Sequence, residues 1–140
     1  MKPVIYSHKA QYYETDRMGI IHHSNYIRWF EECRCFLMEQ MGYSYERLEE
    51  EGIISPVLEI ECQYRSMVRF GDTVDISAVI KEFNGIRLTL AYEVRNHKDG
   101  ALCTTGISRH CFLGPNGRPV FMKKAKPEFY QRVLAFMEDE

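Results

Sequence analysis

The sequence lacks several things that would fix its class at once. It has no basic block of five or more residues and carries a net charge of −2 with histidines neutral, so nucleic acid is not the expected partner. No stretch approaches the ~18 apolar residues of a membrane span. The first residues, Met1-Lys2-Pro3-Val4, open no signal-peptide pattern, and a cytoplasmic setting is the expectation. Its five cysteines, at positions 33, 35, 62, 103 and 111, form no CxxC pair and are odd in number. They read as reduced thiols rather than as a disulfide framework or a zinc site. Internal repeats, low-complexity tracts and flexible linkers are absent as well.

What remains is the balance of an ordinary globular domain. In 140 residues, 45% are hydrophobic and 27% charged, enough for one core and too little chain for two. Period-two alternation predicts a first strand over Tyr6–Tyr13, with Tyr6, His8, Ala10 and Tyr12 on one side. From Ser24 to Met41 the period becomes helical through Tyr26, Phe30, Cys33, Leu37 and Met41. Apolar residues cover so much of this helix that something must wrap it. Gly42 is placed to stop it, and a short helical piece over Tyr45–Glu51 follows.

Further strands are expected over Ile54–Tyr64, Thr73–Phe83, Ile86–Asn96 and Ala101–Leu113. Asn84-Gly85 is a hairpin turn between two of them, and Phe129–Met137 reads as a terminal helix. The expected class is therefore α+β: a curved antiparallel sheet of about five strands wrapped around one long central helix, in a single domain over residues 1–140. An uncovered sheet edge on such a domain favours a homodimer or homotetramer.

The chemistry is concentrated between Tyr13 and Arg34. Asp16 lies on a loop with Gly19, between a strand and a helix whose first turn is polar. A helix start leaves backbone N–H groups unpaired and carries the positive end of the dipole, which suits an oxyanion. A carboxylate delivered beside it can attack a carbonyl or activate water. Loop aspartates before helices are common, however, and the same residue can simply hold a turn. The adjacent His22 and His23 diverge from a helix start with no third ligand spaced to join them, so no metal is expected.

Glu14-Thr15-Asp16, Gly19, His23, Asn25-Tyr26 and Phe30-Glu31 with Arg34 resemble the opening motif of the 4-hydroxybenzoyl-CoA thioesterase family. Within that family the chain is most similar to the small acyl-CoA thioesterases associated with the Tol–Pal cluster. Tyr64-Arg65 and Phe70-Gly71-Asp72 fit a second recurrent segment. The resemblance implies the hot-dog fold, subunit-interface sites and hydrolysis of an acyl-CoA without a cofactor. It implies Asp16 as the catalytic acid, nucleophile or general base, the His23 amide as oxyanion donor, and an assisting His23 side chain. Gly19, Asn25 and Tyr26 become substrate-binding candidates. Arg65 and Lys123 are candidates for the negative charges of CoA. Arg17-Met18 and His22 depart from the family's usual residues, which bears on acyl preference. Two other readings stay open: an acyl-thioester dehydratase on the same fold, and a non-catalytic acyl-CoA-binding protein.

Overall fold

The protein is described by a computed structural model over residues 1–139. Strands β1 (Val4–Lys9), β2 (Val57–Tyr64), β3 (Thr73–Phe83), β4 (Arg87–Asn96) and β5 (Leu102–Cys111) form one sheet in the order β1-β3-β4-β5-β2. Every neighbouring pair is antiparallel. Helix α1 (Ser24–Gln40) connects β1 to α2 (Tyr45–Glu50), and α3 (Met122–Ala125) and α4 (Pro127–Glu138) close the chain.

One face of the sheet is dry because alternate residues are apolar. Val74, Ile76, Ala78 and Ile80 of β3 and Leu88, Leu90, Tyr92 and Val94 of β4 are all buried, as period two requires. Trp29, Phe30, Cys33, Leu37 and Met38 of α1 are buried against that face. Burial of each large side chain stabilises the fold by roughly 1.5–3 kcal/mol. The Phe30 ring stacks on Tyr92 at 4.5 Å between centroids and lies over Gly106 of β5, where a Cβ would overlap the ring. Gly106→Ala would force the two elements apart.

The expectation of one helix as the whole filling needs correction. α1 packs on β1 and β3, whereas α4 also packs on β3, with Phe129 and Val133 buried. Phe129 meets Phe83, Phe112 and Tyr43 in an aromatic group continuous with that core. Several boundaries moved as well. The first strand stops at Lys9 because Tyr12–Glu14 form a 3-10 turn, leaving Tyr12 76% exposed. β2 begins after Pro56, whose ring removes a ladder donor. Residues 122–125, for which no element was expected, form α3, and α4 starts at Pro127, two residues before the expected Phe129.

The two edges of the sheet differ. β1 buries every second residue partly, while β2 shows almost its whole length to solvent. Val57, Leu58 and Tyr64 are each close to half exposed.

Candidate active site

The Asp16 loop is a closed turn. The Asp16 N–H donates to the Ile20 carbonyl at 2.8 Å, and the Gly19 N–H to the Asp16 carbonyl at 3.1 Å. Gly19 adopts φ 77°, a conformation cheap only for glycine. One carboxylate oxygen of Asp16, Oδ1, accepts from the Met18 N–H at 2.8 Å. Its other oxygen has no partner among the described residues. The loop is fixed to the far wall where the Ile21 N–H donates to the Val68 carbonyl at 2.9 Å.

Glu14, two residues upstream, anchors this loop. It is 5% exposed, and its carboxylate accepts from Trp29 Nε1 at 2.7 Å and from the Gln11 N–H at 2.8 Å. It also pairs with His8 Nε2 at 2.8 Å. Burial pushes this carboxyl up, but the bonds from His8, Gln11 and Trp29 outweigh that and hold it below the ordinary carboxylate range. The Glu14 carbonyl accepts from the His22 N–H and from Asn25 Nδ2, each at 2.8 Å. Strand β1, the loop and α1 thus meet on one residue. Sequence reasoning noted Glu14 only as part of a motif. The available signal was a carboxylate preceded by two tyrosines, ahead of a helix carrying the single tryptophan.

His23 stands at the N-cap of α1. Its ring stacks on His22 at 4.2 Å and is exposed. Its carbonyl accepts from the Tyr64 hydroxyl at 2.9 Å. Among the described residues its N–H meets no acceptor, as expected of a first-turn amide. Asn25 is buried and bridges the Glu14 carbonyl and Arg28 Nη1, so its amide holds the loop.

A cleft of about 280 Å³ opens at this corner. Asp16, Met18, Ile20, Ile21, His23 and Tyr26 form one wall, and Tyr64, Arg65, Ser66 and Met67 at the end of β2 form the other. Burial pushes the Tyr26 phenol up to about 12, so it stays neutral. Of the candidates from the sequence, Asp16, His23, Tyr26 and Arg65 share this cleft. Gly19 and Asn25 shape the loop without lining it. Lys123 lies beside Tyr130, 6.0 Å from the ring centre. Its helix α3 hydrogen-bonds to Gly85 at the β3–β4 turn, the far end of β3 from the Thr73 end that pairs with Lys9. Ser66 and Met67 were not among the candidates, and Tyr64 was noticed only as part of the Tyr64-Arg65 segment. Strand pairing delivers all three to the cleft. Among the described residues there is no cluster of three or more His, Cys, Asp or Glu in metal-binding arrangement. None of their helices is long and apolar enough to cross a membrane.

A family model described as the thioesterase-like superfamily matches residues 11–136. The chain belongs to that superfamily. It is 32% identical over 123 residues to a Bacillus subtilis (strain 168) protein named "Putative acyl-CoA thioesterase YneP", covering 87% of this chain and 88% of that one. A solved DHNA-CoA thioesterase from Staphylococcus aureus superposes with a TM-score of 0.92 at 30% identity, covering 96% of this chain and 91% of the other. The S. aureus protein SAV2348, solved in complex with CoA, superposes at 0.88 with 17% identity, covering 99% of this chain and 86% of that one. That likeness speaks to the fold alone, the hot-dog thioesterase fold with its five-stranded antiparallel sheet.

Proposed function

We propose that this chain, a thioester hydrolase of the superfamily, hydrolyses an acyl-CoA in the Asp16 cleft. The observation that carries the reading is the pairing of two groups at one apolar cleft: a carboxylate with an unengaged oxygen, and an unpaired amide at a helix start. The thioester carbonyl oxygen accepts from the His23 N–H, where one such donor contributes roughly 3 kcal/mol to the transition state. Asp16 then acts as the nucleophile on the carbonyl carbon or as the base that takes a proton from water. Either route adds water across the C–S bond and releases the acid and free CoA. The exposed His23 ring assists at the same mouth.

Met18, Ile20, Tyr26, Tyr64 and Met67 offer the acyl group apolar and aromatic walls, which suits an aromatic acyl chain. The S. aureus relative supports that class. Placement with the 4-hydroxybenzoyl-CoA and Tol–Pal-associated thioesterases belongs to the same proposal and rests on the Glu14-to-Arg34 motif. Arg65 meets the negative charge of CoA at the mouth, while Gly19 and Asn25 serve the substrate by fixing the loop. Lys123 can serve CoA only from a second copy of the chain. The bare β2 edge, with Val57, Leu58 and Tyr64, supports such a homo-oligomer, and a cytoplasmic setting fits the free cysteines.

The test is thiol release from aromatic, short, long and branched acyl-CoAs by the wild type and by Asp16→Asn. We expect turnover on aromatic acyl-CoA and a fall of ~100-fold or more in the variant. Absence of release by the wild type across the panel would overturn the reading.

A further inference from the structure

His22 is not among the residues that line the Asp16 cleft, yet both its backbone and its ring are bonded. Its N–H donates to the Glu14 carbonyl at 2.8 Å, and its carbonyl accepts from the Asn25 N–H at 3.0 Å. Its ring nitrogen Nδ1 accepts from the Ser24 N–H at 3.2 Å and lies 2.8 Å from Ser24 Oγ. A backbone N–H can only donate, so Nδ1 holds the lone pair and the Ser24 hydroxyl donates to it as well. In the neutral ring the proton is then on Nε2. Both side-chain and backbone donors of Ser24 thus fix the plane of the His22 ring.

The His23 ring lies against that plane. The two side chains, expected to diverge from the helix start, instead stack at 4.2 Å between centroids with an inclination of 28°. Tyr64 meets the His23 ring edge-on, 6.4 Å away and inclined by 85°. Among the described residues no hydrogen bond holds the His23 imidazole, and the residue is exposed. A ring so placed would spread over its rotamers and its broad outer torsion unless contacts restrict it. Stacking on a neighbour that is itself locked supplies that restriction. We propose, on the reading of His23 as the group that assists hydrolysis, that His22 is a positioning residue: a ring fixed by Ser24 on which the His23 imidazole is held at the mouth of the cleft. A residue that merely caps α1 would use the Nδ1 bond and have no need of the stack, so the two roles can be separated.

The test compares His22→Asn and His22→Phe with the wild type in thiol release, in Tm and in proton–nitrogen correlation spectra of the histidine rings. Asn keeps an acceptor for the Ser24 N–H and loses the stack, whereas Phe keeps the stack and loses the acceptor. We expect kcat to fall ~10-fold or more in His22→Asn with KM changed by less than about twofold, because misplacing an assisting group costs rate rather than binding. His22→Phe should retain kcat to within about threefold even though its Tm drops with the lost capping bond. The wild-type spectrum should show His22 with its proton on Nε2, and the His23 ring signals should shift in His22→Asn. Full kcat in His22→Asn overturns the proposal, since capping alone would then suffice. So does a folded His22→Phe as slow as His22→Asn, a His22 proton on Nδ1, or a His23 ring whose signals ignore His22→Asn. If His22→Phe fails to fold, His22→Asn and the ring spectra decide. A wild type that releases no thiol sinks the hydrolase reading instead, and the His23 signals still decide whether His22 holds that ring.

Discussion

Glu14 and Asp16 are carboxylates two residues apart with opposite fates. Glu14 is buried and meets donors from β1, from its own turn and from α1. Asp16 keeps one oxygen in its own turn and presents the other to the cleft. The difference arises from the backbone between them, where the 3-10 turn ends at Glu14 and Thr15 is extended. A fully bonded carboxylate fixes position, and the partly bonded one beside it inherits that position while remaining able to react.

The sharpest break of this comparison is Asp16→Asn. It should lower kcat/KM on acyl-CoA by ~100-fold, about 2.7 kcal/mol in the barrier, yet leave stability within about 0.5 kcal/mol. Urea unfolding alongside the thiol assay reads both. Glu14→Gln should reverse the pattern, destabilising by about 2–3 kcal/mol because a charged, buried acceptor is lost, with a smaller loss of rate. The same residue sets an acid dependence. Its folded-state value lies below the ordinary 4.5, so its contribution is complete above that value and is lost as pH falls through the folded one. Acid unfolding curves of wild type and Glu14→Gln should therefore converge at low pH. Trp29→Phe removes one donor and leaves Glu14 under-bonded, costing about 1–2 kcal/mol. Tyr64→Phe is the mildest: the lost bond to the His23 carbonyl should cost about 0.5–1 kcal/mol and change rate only a few-fold.

Much of the sheet was legible because its signals are local. Asn84-Gly85 and the alternation of Leu88, Leu90, Tyr92 and Val94 predicted the β3–β4 hairpin, and the helical period from Tyr26 to Leu37 predicted α1. Tyr12 misled because its apolar ring continued the alternation of β1 while the chain had already turned. Asp16 and His23 were legible through motif resemblance and adjacency to a helix start, and the structure gathers them in one cleft with Tyr26 and Arg65. Ser66 and Met67 were not, and Tyr64 was noticed only beside Arg65 in a motif, since all three reach the cleft through the pairing of β2 with β5. Arg34 was noticed only as the last residue of the motif that begins at Glu14. Its burial follows from the packing of α1 and α2, which no spacing rule supplies.

The strand order has a consequence for how the molecule comes into being. Tyr64 and His23, bonded across the cleft, are 41 residues apart in the chain, and β2 joins the sheet only beside β5, the last strand made. The β3–β4 hairpin needs only its own turn and can close within about 1–10 μs. The cleft, in contrast, has a second wall only once the final strand is paired, so long-range closure is completed before any substrate can be held. In a refolding experiment, catalytic activity would therefore return after the circular-dichroism signal of the hairpin, and a chain caught half-folded would carry its carboxylate without a chamber in which to use it.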